Sequence, residues 1–229
     1  MNQIQTPAPV NPLPWIVWAL ALPIIAMEIV VSLGASGLFG TPGDASWRIE
    51  ALYRLVWMPQ FLTQALADGR WIPYEPWRLV GYTLIHGSSM SAIFAVVILL
   101  AMGKAVGESF AWWAVLAVWF GSAAVGVLVY SLAVPGAQAP VAGAFPSAYG
   151  LIGAFTFLIW MRLAGTGGNQ YRAFTMIGFL MLAQLLFALI FGNSYIWVAE
   201  LAGFATGFLL SFLVSPGGWG RAVAWLRRR

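Results

Sequence analysis

Six apolar stretches of roughly 17 to 23 residues run through this chain, each close to the length that a helix needs to cross the hydrocarbon of a bilayer. They are read here at about 15–33, 80–102, 111–132, 147–163, 173–191 and 195–214. Of the 229 residues, 61% are hydrophobic and only 8% are charged. That leaves too little polar sequence to cover a soluble core. Lipid offers the backbone no hydrogen-bond partners, so spanning segments of this kind are helical. The expectation is an all-α, polytopic membrane protein forming one domain over 1–229, with no internal repeat. The fourth stretch is the shortest and follows the Pro/Gly/Ala loop from Pro135 to Pro146. It is expected to begin below the surface and leave room for a polar cavity above it.

Charge placement suggests an orientation. With the N-terminus cytoplasmic, the inner side holds seven cations: Lys104, Arg162, Arg172, Arg221 and Arg227 to Arg229. The outer side holds four: Arg48, Arg54, Arg70 and Arg78. The positive-inside rule favours this arrangement. Met1 to Pro12 lacks Lys and Arg, so no cleavable leader is expected. Both termini are then cytoplasmic, in a membrane of the bacterial inner type. All four outer arginines lie in the connection from Gly34 to Arg78, beside Asp44, Glu50, Asp68 and Glu75. That connection is too long for a plain loop. Trp47, Ala51, Leu55 and Met58 repeat at helical spacing with Arg48 and Glu50 off that face, so short amphipathic helices half-embedded in the outer leaflet are expected. The tail 217–229 joins Trp219 and Trp225 to four arginines and reads as an interfacial anchor on anionic headgroups.

Glu200 is the most expensive residue in this layout. It stands in the apolar, small-residue run from Val198 to Leu210. An acid inside a spanning helix costs a few kcal/mol unless it is neutralised, paired or wet, and so marks a candidate site. Its candidate hydrogen-bond donors are His86, Ser91 and Tyr149. Glu28 is a second such acid, expected near the outer interface by tilt or snorkelling. Zero cysteines exclude disulfides and thiolate chemistry. His86 is the single histidine, and with two embedded acids it makes a poor metal site. No metal or cofactor is expected, and no nucleotide or nucleic-acid motif appears.

Three stretches then occur in order. Glu75-Pro-Trp-Arg78 leads into Thr83-Leu-Ile-His86-Gly. Gly143-Ala-Phe-Pro-Ser-Ala-Tyr-Gly-Leu-Ile-Gly-Ala154 follows the long loop. Ala199-Glu-Leu-Ala-Gly-Phe-Ala-Thr-Gly207 opens the last span. With six spans and a large first connection, this resembles the rhomboid family of intramembrane serine proteases over nearly the whole chain. Trp77 and Arg78 are similar to that family's first-loop pair. Gly107-Glu108, with Gly103 and Lys104 leading in, resembles the turn after its second span. Gly150, Gly153, Gly203 and Gly207 fit its helix-packing glycines, which let backbones approach closely.

The resemblance implies a serine at the start of span 4, a histidine base on span 6, and a His/Asn oxyanion pair on span 2. Aligned on Tyr149-Gly-Leu-Ile-Gly-Ala154, the serine position is Phe145 and the glycine after it is Pro146. The base position is Glu200. Aligned on His86-Gly, the oxyanion positions are Ser91 and Ala95. All four catalytic positions depart from the family's pattern, while Tyr149 is kept. Ser147 is the fallback nucleophile, but it lies about 200° around a helix from position 145; its plainer reading is a helix N-cap. The resemblance therefore implies a pseudoprotease that binds membrane lipids and transmembrane segments of partner proteins, affecting their assembly, stability or trafficking. The alternatives are a divergent serine protease using Ser147 and, more remotely, a proton or small-solute path through Glu28, His86 and Glu200.

Overall fold

The computed structural model describes residues 12–35, 46–134, 136–191 and 195–216, and these are helical and joined by turns. The basic tail 217–229 lies outside the described residues. Among the described residues, five long helices are apolar enough to cross a membrane: α1 (Trp15–Ala35), α5 (Ser89–Gly107), α6 (Trp112–Ala133), α7 (Phe145–Gly165) and α9 (Trp197–Val214). A sixth, α8 (Thr175–Phe191), is a little shorter at 17 residues. Between α1 and α5 lie three short helices: α2 (Ser46–Leu55), α3 (Gln60–Ala67) and α4 (Arg78–Gly81).

The centre is the triangle of α6, α7 and α9, held by backbone approach at glycine. A Cβ on Gly207 would lie 2.6 and 2.7 Å from the carbonyl carbon and Cα of Gly150. One on Gly203 would lie 2.9 Å from the carbonyl carbon of Pro146, and one on Gly153 2.8 Å from the amide nitrogen of Phe208. Gly126 gives α6 the same intimacy, with the Ala199 carbonyl oxygen 2.8 Å from its missing Cβ. Small residues at such crossings gain van der Waals contact that larger side chains would block. The α1–α5 pair packs on α7 through a buried cluster that includes Val17, Ile24, Ala95, Leu99 and Leu151. The first turns of α8 meet the bundle, where Ile177, Leu180 and Met181 pack with Tyr149, Ile152 and Phe204.

Three local features differ from expectation. The apolar stretch read from 80 is broken: α4 ends at Gly81, Tyr82–Leu84 make a 3₁₀ turn, and Ile85 is extended. Ser88 then caps α5 by accepting from the Ser91 N–H at 3.3 Å. A Ser in extended backbone ahead of a helix captures an orphan N–H and fixes the start there. Second, α7 is 21 residues, longer than α8 and α9, and begins at Phe145 rather than Ser147. Pro146 falls in its first turn, where the missing N–H costs nothing, so the helix accepts it. Third, Arg48 of α2, expected off the buried face, turns toward α1 and pairs with Glu28, beside the half-buried Ala51 and Leu55.

Candidate functional site

The site is built around the break at 85–88. Ile85 and His86 are buried, and the His86 imidazole Nε2 accepts from the Ala144 N–H at 3.1 Å. That bond ties the break to the start of α7 and puts the ring proton on Nδ1, which has no partner among the described residues. Gly143 makes the approach possible. Its φ is +99°, and a Cβ there would lie 3.0 Å from His86 Cδ2. Phe145 then sets its ring edge-on to His86, with centroids 6.4 Å apart.

Arg48 secures the same break from the other side. It donates through Nη1 to Glu28 Oε2 at 3.0 Å and through Nη2 to Glu28 Oε1 at 2.6 Å. Nη1 also donates to the His86 carbonyl at 2.8 Å. A planar guanidinium suits this two-point grip on a carboxylate. Ser32 donates to Glu28 as well, at 3.0 Å. Glu28 is thus held in an ion pair by an arginine of the first connection. Burial, with Arg48 adding and Glu28 opposing, pushes His86 down from 6.5 to about 4, so it is neutral at ordinary pH.

Ser147 lies inside the first turn of α7, fully buried, and its Oγ has no partner among the described residues. The N-cap is Ala144, so Ser147 does not cap the helix. Neither is it hydrogen-bonded to His86, whose Nε2 is already occupied. Ser91 is half-buried and Ala95 is fully buried. No hydrogen bond joins His86, Ser91 and Tyr149 to one another among the described residues.

Glu200 is buried at 7% exposure, in the first turn of α9 rather than at mid-span. The positive end of that helix lessens the cost of burying an acid there. Its carboxyl group lies within electrostatic reach of the hydroxyls of Tyr82 and Tyr149. Tyr82 is fully buried and donates to the Ala123 carbonyl at 2.9 Å. Burial, then the Glu200 charge, hold its hydroxyl well above the usual tyrosine range.

Two anchors escaped sequence reading. Trp57 is fully buried, exchanges backbone hydrogen bonds with Val141 at 3.1 and 2.8 Å, and donates from its indole to Ser131 at 3.0 Å. The Gly143 N–H donates to the Tyr82 carbonyl at 2.9 Å. Together they fasten the first connection to the loop before α7. Arg78 completes the fastening: it pairs with Glu75 and donates to the carbonyls of Tyr53 at 2.7 Å and Val56 at 3.2 Å. Its neighbour Trp77 is exposed.

The model of the rhomboid domain matches residues 73–217, well over half of the chain. The chain belongs to the rhomboid family. The matched region holds α4 to α9, the break at His86 and the glycine-packed triangle, so this is a rhomboid-type integral membrane protein. No functionally curated protein matches it. Rhomboids include both active proteases and inactive members, and the side chains around α7 bear on that difference.

Proposed function

We propose that this rhomboid is non-proteolytic, binding transmembrane segments of partner proteins and affecting their assembly, stability or trafficking. The observation that carries the reading is the state of the two nucleophile candidates. Position 145 holds a phenylalanine ring set against His86. Ser147, the nearby hydroxyl, is fully buried and without a partner among the described residues. A serine nucleophile needs a base within hydrogen-bond reach and access to the scissile carbonyl. His86 uses its accepting nitrogen on the α7 backbone, and Glu200 replaces the family's base on α9.

Partner binding is supported by the apolar flank where α5 meets α8. Ile98 and Met102 of α5 join the cluster that holds Ile177 and Leu180, so the helices meet at that end. Phe94, one turn before Ile98 on the same side of α5, is exposed, as are Phe179 and Leu182 of α8. A helix docking there would meet apolar side chains from both helices. In this reading the termini are cytoplasmic and the membrane is of the bacterial inner type.

A fluorophosphonate probe tests the first half. The folded protein should stay unlabelled, and labelling that vanishes in Ser147→Ala would overturn the non-proteolytic reading. The second half is tested with a photo-crosslinker at Phe94 in native membranes, against one at Val125 on α6. A defined membrane protein should be captured from Phe94 only; equal capture at both positions would remove the docking role of the α5–α8 flank.

A further inference from the structure

Arg78 lines a cavity of about 500 Å³ in the first connection, the size of a small-molecule site rather than a packing defect. One wall is apolar, from Val56, Met58 and Phe61; the rest is polar, from Gln60, Gln64 and Glu75. Arg78 is nearly buried and sits over the Phe61 ring at 5.1 Å. Its Nε is taken by Glu75 and its Nη1 by two backbone carbonyls. Its Nη2 donates to nothing among the described residues. The second carboxylate oxygen of Glu75, Oε1, is likewise unclaimed, and so are the side-chain amides of Gln60 and Gln64. Those two glutamines are one turn apart on α3, so they point the same way.

The cavity thus offers the free Nη2 of a guanidinium and, directly beside it, the outer oxygen of its partner carboxylate with two side-chain amides. This pattern suits a small zwitterion with an anionic end and a primary ammonium. The surroundings say where such a group would come from. Trp71, Ile72, Tyr74 and Trp77 in the same connection are 54–87% exposed. Exposed tryptophan and tyrosine of this density belong at the headgroup level of a bilayer. The cavity is also larger than a headgroup, and its apolar wall would take the glycerol and the first methylenes.

We propose that this cavity binds a phospholipid of the phosphoethanolamine class, its phosphate on Arg78 Nη2 and its ammonium on Glu75, Gln60 and Gln64. A choline headgroup lacks the N–H donors that these acceptors require. A glycerol headgroup lacks the ammonium that the outer oxygen of Glu75 and the two glutamines would accept from. The site is independent of the α5–α8 flank and stands or falls apart from it.

The test uses the full-length protein in detergent and native mass spectrometry. Short-chain phosphatidylethanolamine, phosphatidylcholine and phosphatidylglycerol of matched acyl length are titrated separately, beside free phosphorylethanolamine. Phosphatidylethanolamine should bind at least about 10-fold tighter than phosphatidylglycerol, a difference that native spectra resolve. Gln64→Trp, an exposed position on α3, should fill the cavity and erase that preference. The double variant Gln60→Ala/Gln64→Ala, which cannot block the site, should weaken the preference at least about 3-fold through lost hydrogen bonds. Equal retention of the three lipids would overturn the proposal, as would an unchanged preference in the double variant. Binding of free phosphorylethanolamine without binding of the lipid would overturn the assignment to a phospholipid.

Discussion

Gly207→Ala and Gly178→Ala add the same methyl group to two membrane helices, and the structure assigns them opposite outcomes. At Gly207 the new Cβ would be driven into the backbone of Gly150, with the carbonyl carbon at 2.6 Å and Cα at 2.7 Å. Ordinary carbon–carbon contact begins near about 3.5 Å, so α7 and α9 would have to part by about 1 Å along their crossing. Backbone cannot swing aside as a side-chain tip can. The separation would also disturb the neighbouring crossings at Gly203 and Gly153 in the same interface. Overpacking a fitted interior costs about 1–3 kcal/mol when side chains can adjust; with backbone as the obstacle, Gly207→Ala should reach or exceed the top of that range. At Gly178, in α8, nothing lies within 4 Å of the added Cβ. There the substitution should be neutral or stabilising by up to about 1 kcal/mol, because alanine restricts the unfolded chain and favours helix. Unfolding midpoints in detergent, measured on both variants and the parent, decide the matter. Equal midpoints for the two variants would refute backbone packing at α7–α9 as the centre of this fold.

Other perturbations probe the break and its neighbours. His86 is neutral in the folded protein, with its pKa near 4 against 6.5 unfolded. The unfolded chain therefore binds more protons as pH falls through that window, so stability should drop by up to about 3 kcal/mol between about pH 6.5 and pH 4. Unfolding free energies measured across that window should show this slope, and His86→Gln, which keeps an acceptor for Ala144, should flatten it. Arg48→Ala strands the Glu28 carboxylate and should cost about 3 kcal/mol, whereas adding Glu28→Gln to it should restore part of that loss. Additive losses in the thermal midpoints of that double variant would remove the clasp. Glu200→Gln should be tolerated, while Glu200→Leu should cost about 1–2 kcal/mol by removing the polar contact of the buried carboxyl group. A Leu variant as stable as the parent in detergent would refute a structural role for the carboxyl group.

Much of the architecture was legible because lipid simplifies the reading. Length and apolarity alone mark spanning helices, and α1, α6 and α9 are long, uninterrupted runs. The break at 85–88 was not legible in that way, since Tyr82, Thr83 and Ile85 are apolar or neutral enough to extend the run. Only the capping geometry of Ser88 and the imidazole bond to Ala144 show where the helix must restart. Arg48 was misplaced for a related reason. A periodicity argument sends a cation away from the apolar face, but it carries no information about an acid 20 residues earlier that can receive it. Trp57 and Tyr82 act through contacts with Ser131, Val141 and Ala123, which are separated from them by 41 residues or more. Aromatic residues in an interfacial segment look alike until such partners are known.

The chemistry and the packing of this rhomboid rest on different atoms. The α6–α7–α9 triangle is held by what glycines omit, and its closest approaches are to backbone carbonyls and amides. Positions 145, 91, 95 and 200 carry side chains that the crossings at Gly150, Gly153, Gly203 and Gly207 do not use. Phe145 meets His86, and Glu200 sits in the first turn of α9, where the helix end eases its burial. In the proposed non-proteolytic reading, each departure from the family's catalytic pattern at these positions is accommodated without separating the helices. By the same physics, restoring Ser and His at positions 145 and 200 would leave the scaffold standing without making a protease. His86 would still spend its acceptor on the α7 backbone, and Ala95 would still offer no donor to an oxyanion. Phe145→Ser/Glu200→His should thus fold and remain silent to a fluorophosphonate probe. Labelling of that variant would show that the site around α7 is closer to catalysis than its hydrogen bonds allow.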